Sequence, residues 1–143
     1  MKLPATVEYG CKAMVELALQ YHTKAPVQVR SIASKQKIPR KFLVQILMRL
    51  KNAGLIISVR GNAGGYLLAR HPSLMNVAQV IAALDEDLLT NEHEGVASSD
   101  PKGHDALWRL WRDVSDDVTG RLKKTAIEVL ATQYAGSSLT YSI

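Results

Sequence analysis

The stretch from residue 29 to residue 70 constrains the fold of this chain most, because two helical patterns are followed there by a glycine-rich turn between extended segments. The first helical pattern, residues 30–37, ends at the Ile-Pro pair 38–39, since the residue before a proline avoids helical backbone angles. A second helix is predicted from about Arg40, because apolar residues then recur at three- and four-residue spacing. Gly54 stands where the C-terminal cap of that helix is expected.

An extended hairpin is predicted directly after the second helix. Residues 55–60 alternate in the manner of a strand, and residues 66–69 form the returning strand. Between them, residues 61–65 (GNAGG) suit a tight turn, because glycine and asparagine tolerate positive φ. Residues 27–29 are a candidate short strand beside the hairpin. Helix, sharp turn, helix and hairpin together indicate a winged helix-turn-helix, in a fold that is mostly α with a small β-hairpin.

The same stretch contains the candidates for contact with double-stranded DNA. The second helix of such a motif presents its N-terminal side chains to base edges in the major groove, and a basic hairpin tip can approach the phosphate backbone or the minor groove. Two packed helices with a solvated basic face are the alternative, against which the glycine-rich hairpin and its basic tip favour DNA. A phosphate-binding loop is not indicated, because the turn lies between two strands and no Lys-Ser/Thr follows it. The predicted DNA-binding residues are Arg30, Arg40, Lys41, Gln45, Arg49, Arg60, Gly61, Gly64 and Gly65.

Charge is distributed unevenly along the 143 residues. Residues 1–70 hold 12 of the 18 Lys and Arg residues and 2 of the 13 Asp and Glu residues, so that half carries +10 and residues 71–143 carry −5. A polyanion would therefore be attracted by the first half. No apolar run is long enough to span a membrane, no signal segment opens the chain, and Cys11 alone cannot form an internal disulfide. A cytoplasmic protein with no membrane partner is expected.

The chain is predicted to have four parts. Residues 1–84 form the winged helix-turn-helix domain. Residues 85–104 are acidic and aperiodic, which indicates a loop. Residues 105–134 form one long dimerisation helix, and residues 135–143 form a tail.

The long helix carries an apolar stripe that a small winged-helix core does not need. The economical partner for such a stripe is the same helix in a second copy, so a symmetric homodimer is predicted. Its two recognition helices would meet half-sites of a palindromic operator about one helical turn, or a multiple, apart. A wall for a small-molecule effector or a partner enzyme is the alternative role for the tryptophans of this helix. The predicted dimerisation residues are Leu107, Leu110, Trp111, Val114, Val118 and Leu122.

The sequence resembles the Rrf2 family of bacterial winged-helix transcription regulators over at least residues 1–130. The segments that carry the resemblance are residues 1–18, 29–61, 62–70 and 106–120. The most specific motif is the run AGL-x-x-S-x-RG-x-x-GGY-x-L at residues 53–68. The resemblance implies a homodimeric repressor or activator whose second helix enters the major groove and whose wing arginine, Arg60, enters the minor groove. Many relatives carry a glutamate where this chain has Val44. A carboxylate there would repel phosphate and favour cytosine, so the operator sequence of those relatives is not carried over to this chain.

The resemblance also bears on cofactors. Cluster-binding relatives place three cysteines in the loop that corresponds to residues 85–105, and this chain has none there. Thiolates are the usual ligands of iron–sulfur clusters, and Cys11 cannot replace three of them. No cofactor is therefore expected, and the chain is placed nearest the cluster-free, CymR-like branch. Glu8 matches a position from which some relatives supply a carboxylate to the partner's cluster, and it is interpreted here as a surface charge or a cap.

Two other sensor chemistries stay open in the sequence. His93 and His104, with neighbouring acids or with Glu8, are candidate ligands of a metal ion, although their spacing matches no standard site. Cys11 is a candidate redox switch beside Lys12, and a small buried residue is its alternative role.

The sequence thus predicts a DNA-binding transcription regulator, here a repressor, that responds to a small molecule, a partner protein or a redox signal. The alternatives are a protein-interaction module that acts through its long helix, and a metal or redox sensor. An enzyme is not predicted, because no Cys-His or Ser-His-Asp spacing stands out.

Overall fold

The computed structural model describes the backbone of residues 2–90 and 104–141. In chain order its elements are α1 (Ala5–Leu19), α2 (Val29–Gln36), α3 (Arg40–Asn52), β1 (Ile56–Val59), β2 (Gly65–Leu68), α4 (Val77–Leu84), α5 (Glu86–Leu89), α6 (His104–Lys123) and α7 (Ile127–Tyr141). Short 3-10 helices occur at Tyr21–Thr23 and Pro72–Leu74. The predicted fold class, mostly α with a small antiparallel hairpin, is confirmed for the described residues.

Helices α2 and α3 form the predicted helix-turn-helix. Lys37 ends α2 in the left-handed region, with a φ of 54°. Pro39 then precedes α3, and its carbonyl accepts hydrogen bonds from the first turn of that helix. At the other end of α3, Gly54 has a φ of 77°, and the N–H groups of Gly54 and Leu55 donate back into the last turn. This pair of bonds is a Schellman cap, so Gly54 ends α3 as predicted.

The hairpin is tied to the segment that precedes α2. Strands β1 and β2 pair antiparallel, with Ile56 opposite Leu68. Val27 adds a further bridge, because its N–H and its carbonyl each form a 2.9 Å hydrogen bond with the backbone of Tyr66. The candidate strand at residues 27–29 is thus a single bridge, and it fixes the wing beside the start of α2.

The hydrophobic core lies where α1 packs against α3, α4 and α7. Met14 of α1, Leu47 of α3 and Ile127 of α7 are fully buried in it. Each such side chain contributes about 1.5–3 kcal/mol through its removal from water. Gly10 brings α1 close to α4, since a Cβ atom at this position would collide with the side chain of Leu84.

Two helices replace the single helix predicted over residues 105–134, and the break between them falls at residues 124–126. A backbone bridge pairs Ala126 with Asn76 at the start of α4. Ile127 follows this bridge and inserts into the core, where none of its surface is exposed. The apolar spacing of the sequence continues through the break, because the residues on both sides of it are buried by the same domain.

The parts predicted around the long helix need correction as well. The domain is not limited to residues 1–84, because α7 packs against α1. The predicted tail, residues 135–143, is helical as far as Tyr141. The predicted loop, residues 85–104, contains the helical turn α5 and the first residue of α6, and its residues 91–103 lie outside the described residues. None of the helices within the described part combines the length and the hydropathy that crossing a bilayer requires.

Candidate nucleic-acid interface

Helix α3 buries one face and exposes the other. Its buried residues are Leu43, Ile46, Leu47 and Leu50. On the opposite side, helical spacing places Lys41, Gln45, Met48 and Asn52 at the centre of the exposed face. All four predicted DNA contacts of this helix, Arg40, Lys41, Gln45 and Arg49, are exposed. A basic and polar face in the recognition position of a helix-turn-helix can contact base edges and phosphates.

A groove of about 290 Å³ lies between the starts of α2 and α3 and the wing. Its lining consists of Gln28, Val29, Arg30, Arg40, Gly64 and Gly65. The two predicted arginines in it come from different helices, and both are exposed. Two guanidinium groups beside a glycine-lined backbone fit a phosphate of a nucleic-acid strand, because arginine donates in a planar fork that matches phosphate oxygens.

Gln28 connects the parts of this groove, and sequence reasoning did not single it out. Its Oε1 accepts a 3.0 Å hydrogen bond from Nη2 of Arg30. Its Nε2 lies 3.4 Å from the carbonyl oxygen of Asn62 in the wing turn. The only sequence signal was a polar residue directly before α2, and glutamine is not among the residues that usually cap a helix N-terminus. Here the side chain makes no cap bond and positions Arg30 instead.

The three predicted wing glycines are needed for two different reasons. A Cβ atom at Gly64 would collide with the carbonyl oxygen of Val59, and one at Gly65 would collide with that of Val27. Gly61 has open space around its Cβ position but a φ of 113°, a conformation that side chains of L-residues rarely adopt. Close backbone approach and positive φ therefore shape the turn that carries the basic tip.

Arg60 lies at the end of β1, exposed at the entrance of this turn. Among the described residues, Lys12 forms an ion pair with Glu8 and Nδ1 of His71 lies 3.6 Å from a carboxylate oxygen of Glu128, and neither contact involves a predicted DNA-binding residue. Acids of the described part therefore do not neutralise the basic residues of the recognition helix and the wing.

The predicted dimerisation residues lie on α6 and divide into two groups. The first group is solvent-exposed in the single chain: Leu107, Leu110 and Trp111 at 58–61% and Val114 at 43%. The second group lies nearer the domain, with Val118 half-buried and Leu122 packed against the core. The N-terminal part of α6 thus presents an apolar stripe that the described part of the chain does not cover.

Cys11 is not activated by its neighbour. Burial raises the pKa of the Cys11 thiol to about 11, from an ordinary value of 9.0. At neutral pH only about one molecule in ten thousand would then carry the thiolate. The ammonium of Lys12 pairs at 3.0 Å with the carboxylate of Glu8, which lies one helical turn before Lys12. The lysine charge is therefore engaged by Glu8 and not by the Cys11 thiol.

The metal candidates are only partly within the described residues. His93 lies outside them, and for His104 the helical backbone alone is described. Glu8 is engaged by Lys12. Within residues 2–90 and 104–141, no group of three or more His, Cys, Asp or Glu side chains is placed to hold a metal ion.

A helix-turn-helix formed by α2 and α3, a basic exposed face on α3 and a glycine-shaped wing define the class of winged helix-turn-helix transcriptional regulators. The chain belongs to the Rrf2 family, whose model, described as an iron-dependent transcriptional regulator, matches residues 3–133. The recognised family is thus confirmed, and it is a family of DNA-binding regulators of transcription, not of enzymes.

Curated relatives and solved structures agree with this assignment. The HTH-type transcriptional regulator IscR of Photorhabdus laumondii is 36% identical over 130 residues, which cover 91% of this chain and 79% of IscR. The structure of CymR (YrzC), the global cysteine regulator of B. subtilis, superposes with a TM-score of 0.79 at 30% identity, over 93% of this chain and 98% of CymR. The structure of T. potens IscR superposes with a TM-score of 0.77 at 29% identity, over 94% of this chain and 88% of that IscR. Both kinds of regulator are similar to the chain, so its placement nearest the CymR-like branch stays a prediction.

The donor chemistry of the chain does not fit a cysteine-bound iron–sulfur cluster. Residues 85–105 contain no cysteine, and Cys11 is the single cysteine of the sequence. Its raised pKa keeps the thiol protonated, whereas cluster ligation uses thiolates.

Proposed function

We propose that this chain is a homodimeric, sequence-specific DNA-binding repressor that binds a palindromic operator and responds to a signal other than an iron–sulfur cluster. The observation that carries the proposal is the groove in which Arg30 and Arg40 meet the wing glycines Gly64 and Gly65. The groove joins the N-terminus of the recognition helix to the wing, so one stretch of duplex can contact both elements. In this arrangement α3 enters the major groove and Arg60 follows the adjacent phosphates or the minor groove.

The charge distribution supports a polyanionic partner. Residues 1–70 carry a net charge of +10, and the predicted DNA contacts lie within them. Each Lys or Arg that neutralises a phosphate releases condensed counterions, so the affinity for the operator falls steeply as salt rises. A protein–protein contact through an apolar helix would not respond to salt in this way.

The exposed stripe on α6 supports a homodimer. Leu107, Leu110, Trp111 and Val114 repeat at the three- and four-residue spacing of one helix face. The 20-residue helix is about 30 Å long, enough for two copies to cross and cover each other's stripe. A two-fold axis would then place two recognition helices against one palindrome.

The signal is proposed to be a small molecule or a partner protein rather than a cluster. The absence of cysteine from residues 85–105 supports this part of the proposal. An absorbance spectrum of freshly purified anaerobic protein tests it. Featureless absorbance above the protein band is expected, and a brown, cluster-like spectrum would overturn it. Elemental analysis of untagged protein, with a His93→Ala variant beside it, tests the metal-ion alternative.

Genome-wide binding of the native protein, followed by affinity measurements on the recovered operator, tests the function as a whole. We expect a palindromic sequence bound by one dimer, with a dissociation constant that rises steeply between low and physiological salt. Reporter expression from that operator should increase when the chain is deleted, as for a repressor. A partner protein recovered by pull-down, with no enriched DNA, would favour the interaction module instead.

A further inference from the structure

Two apolar side chains lie within the DNA-facing surface of α3. Val44 is 42% exposed and Met48 is 57% exposed, although four other residues of the same helix already fill the core face. Val44 and Met48 follow each other at one helical turn, so they lie side by side on the surface. Lys41 and Gln45 stand beside them on the same exposed face.

The surroundings of this apolar pair restrict what can cover it. A second copy of the same face would bring Lys41 and Arg49 against their own equivalents, and like charges at close range are unfavourable. A polyanion satisfies the lysine and the arginine. The major groove of DNA is a polyanionic surface that also offers an apolar group, the C5-methyl of thymine, which alanine, threonine methyl and other apolar side chains contact.

We propose that Val44 and Met48 recognise thymine methyl groups, so that each operator half-site carries T·A pairs beneath the middle of α3. This inference rests on the proposed function and adds the chemistry by which it selects bases. Residues one turn apart are separated by about 6 Å along a helix, which corresponds to roughly two steps of a duplex with 3.4 Å per base. Gln45, which is exposed on the side of Met48 away from Val44, is placed to donate to and accept from an adenine edge.

The test uses the full-length protein and the operator obtained by selection from random duplexes. Each thymine of one half-site is replaced in turn by deoxyuridine, which removes the methyl group and keeps every hydrogen-bonding group of the base pair. Removal of one contacted methyl group should weaken operator binding about four-fold, because burial of a methyl-sized group contributes roughly 0.8 kcal/mol. Removal of the equivalent methyl group from both half-sites should weaken binding about fifteen-fold. Uracil outside the half-sites is the DNA control and should change nothing.

Variants then assign the methyl to a side chain. The uracil penalty is the factor by which replacement of one thymine by deoxyuridine weakens operator binding. In Val44→Ala or Met48→Ala, this penalty should fall below about two-fold at one position, because the side chain that touches the methyl group has already been removed. Phe42→Ala is the matched control, since Phe42 is also exposed and apolar but lies on the side of α3 opposite to Val44, and the penalty should persist in it. Circular dichroism confirms that each variant is folded, which is expected because these side chains lie outside the core.

The outcomes separate this inference from the proposed function. If selection yields no preferred sequence, the proposed function fails. If a preferred operator binds equally well with uracil at every position, or if the penalty is unchanged in both alanine variants, the methyl contact is overturned while sequence-specific DNA binding stands.

Discussion

The side-chain amide of Gln36 donates a 2.6 Å hydrogen bond to a carboxylate oxygen of Glu16, and both side chains are buried. Glu16 belongs to α1 and Gln36 to the last turn of α2, so the bond joins the first core helix to the first helix of the helix-turn-helix. A buried carboxylate is tolerated only where such a donor satisfies it. The pair therefore fixes α2, and with it Arg30, relative to the core.

Removal of this donor should destabilise the protein. Gln36→Leu leaves the Glu16 carboxylate buried without its partner, and we expect the free energy of unfolding to fall by about 1–3 kcal/mol in urea titrations at neutral pH. The double variant Glu16→Leu/Gln36→Leu should recover most of the loss, since two apolar residues replace the whole polar pair. A single variant as stable as the parent chain would show that the bond contributes nothing.

The wing arginine should matter more for DNA than another exposed basic residue of the same half. Arg60→Ala is expected to weaken operator binding about ten-fold or more. The slope of log affinity against log salt concentration should also become shallower, by about 1 for each phosphate that the variant no longer neutralises. Lys24→Ala is the control, because Lys24 is exposed but lies outside the recognition helix and the wing. Fluorescence anisotropy over a series of salt concentrations measures both quantities. Equal losses of affinity in the two variants would remove the wing from the interface.

A methyl group added inside the wing should damage both stability and binding. The Cβ of Gly65→Ala would collide with the carbonyl of Val27, so the bridge that ties the wing to the start of α2 must shift. We expect a loss of about 1–3 kcal/mol in unfolding free energy and weaker operator binding. Gly120→Ala is the matched control, since open space surrounds Gly120 within α6. That substitution should stabilise the chain by about 0.5–1 kcal/mol.

A charge in the apolar stripe of α6 should separate the dimer. Trp111→Glu is expected to sediment as a monomer in analytical ultracentrifugation, to keep its helical circular dichroism, and to lose most of its operator affinity, because one bound half-site replaces two. Val129→Glu offers the comparison, since Val129 is an exposed apolar residue of α7 and not of α6. A dimeric Trp111→Glu protein would place the interface elsewhere.

The raised pKa of Cys11 predicts chemical inertness at neutral pH and an alkaline loss of stability. The unfolded thiol releases its proton near pH 9 and the folded thiol near pH 11, so the folded state holds more protons between these values. The unfolding free energy should therefore fall as pH rises from about 9 to 11, and this part of the slope should disappear in Cys11→Ala. Operator affinity should be unchanged after peroxide treatment at neutral pH. A large loss of affinity that Cys11→Ala abolishes would restore the redox switch.

Most of the helix-turn-helix and the wing could be predicted from the sequence, because local chemistry determines them. The Ile38–Pro39 pair prevents the first helix from continuing past Lys37, Gly54 caps the second through its positive φ, and GNAGG permits a tight turn. The face of α3 that would meet DNA followed from apolar spacing alone. The thermodynamic preferences of these residues act within a few positions, so no knowledge of the rest of the chain was needed.

The sequence by itself therefore determined the fold class, the recognition helix, the wing and the polarity of charge between the two halves. Only the tertiary structure decided that α6 and α7 are separate helices, that α7 belongs to the core of the first domain, and that Gln28 holds Arg30 beside the wing. The physical reason is the range of the forces involved. The break at residues 124–126 depends on a backbone bridge to Asn76, and the burial of Ile127 depends on α1. Both contacts join residues that are distant in the chain. Neither changes the local helical spacing of the apolar residues, so neither could be predicted from it.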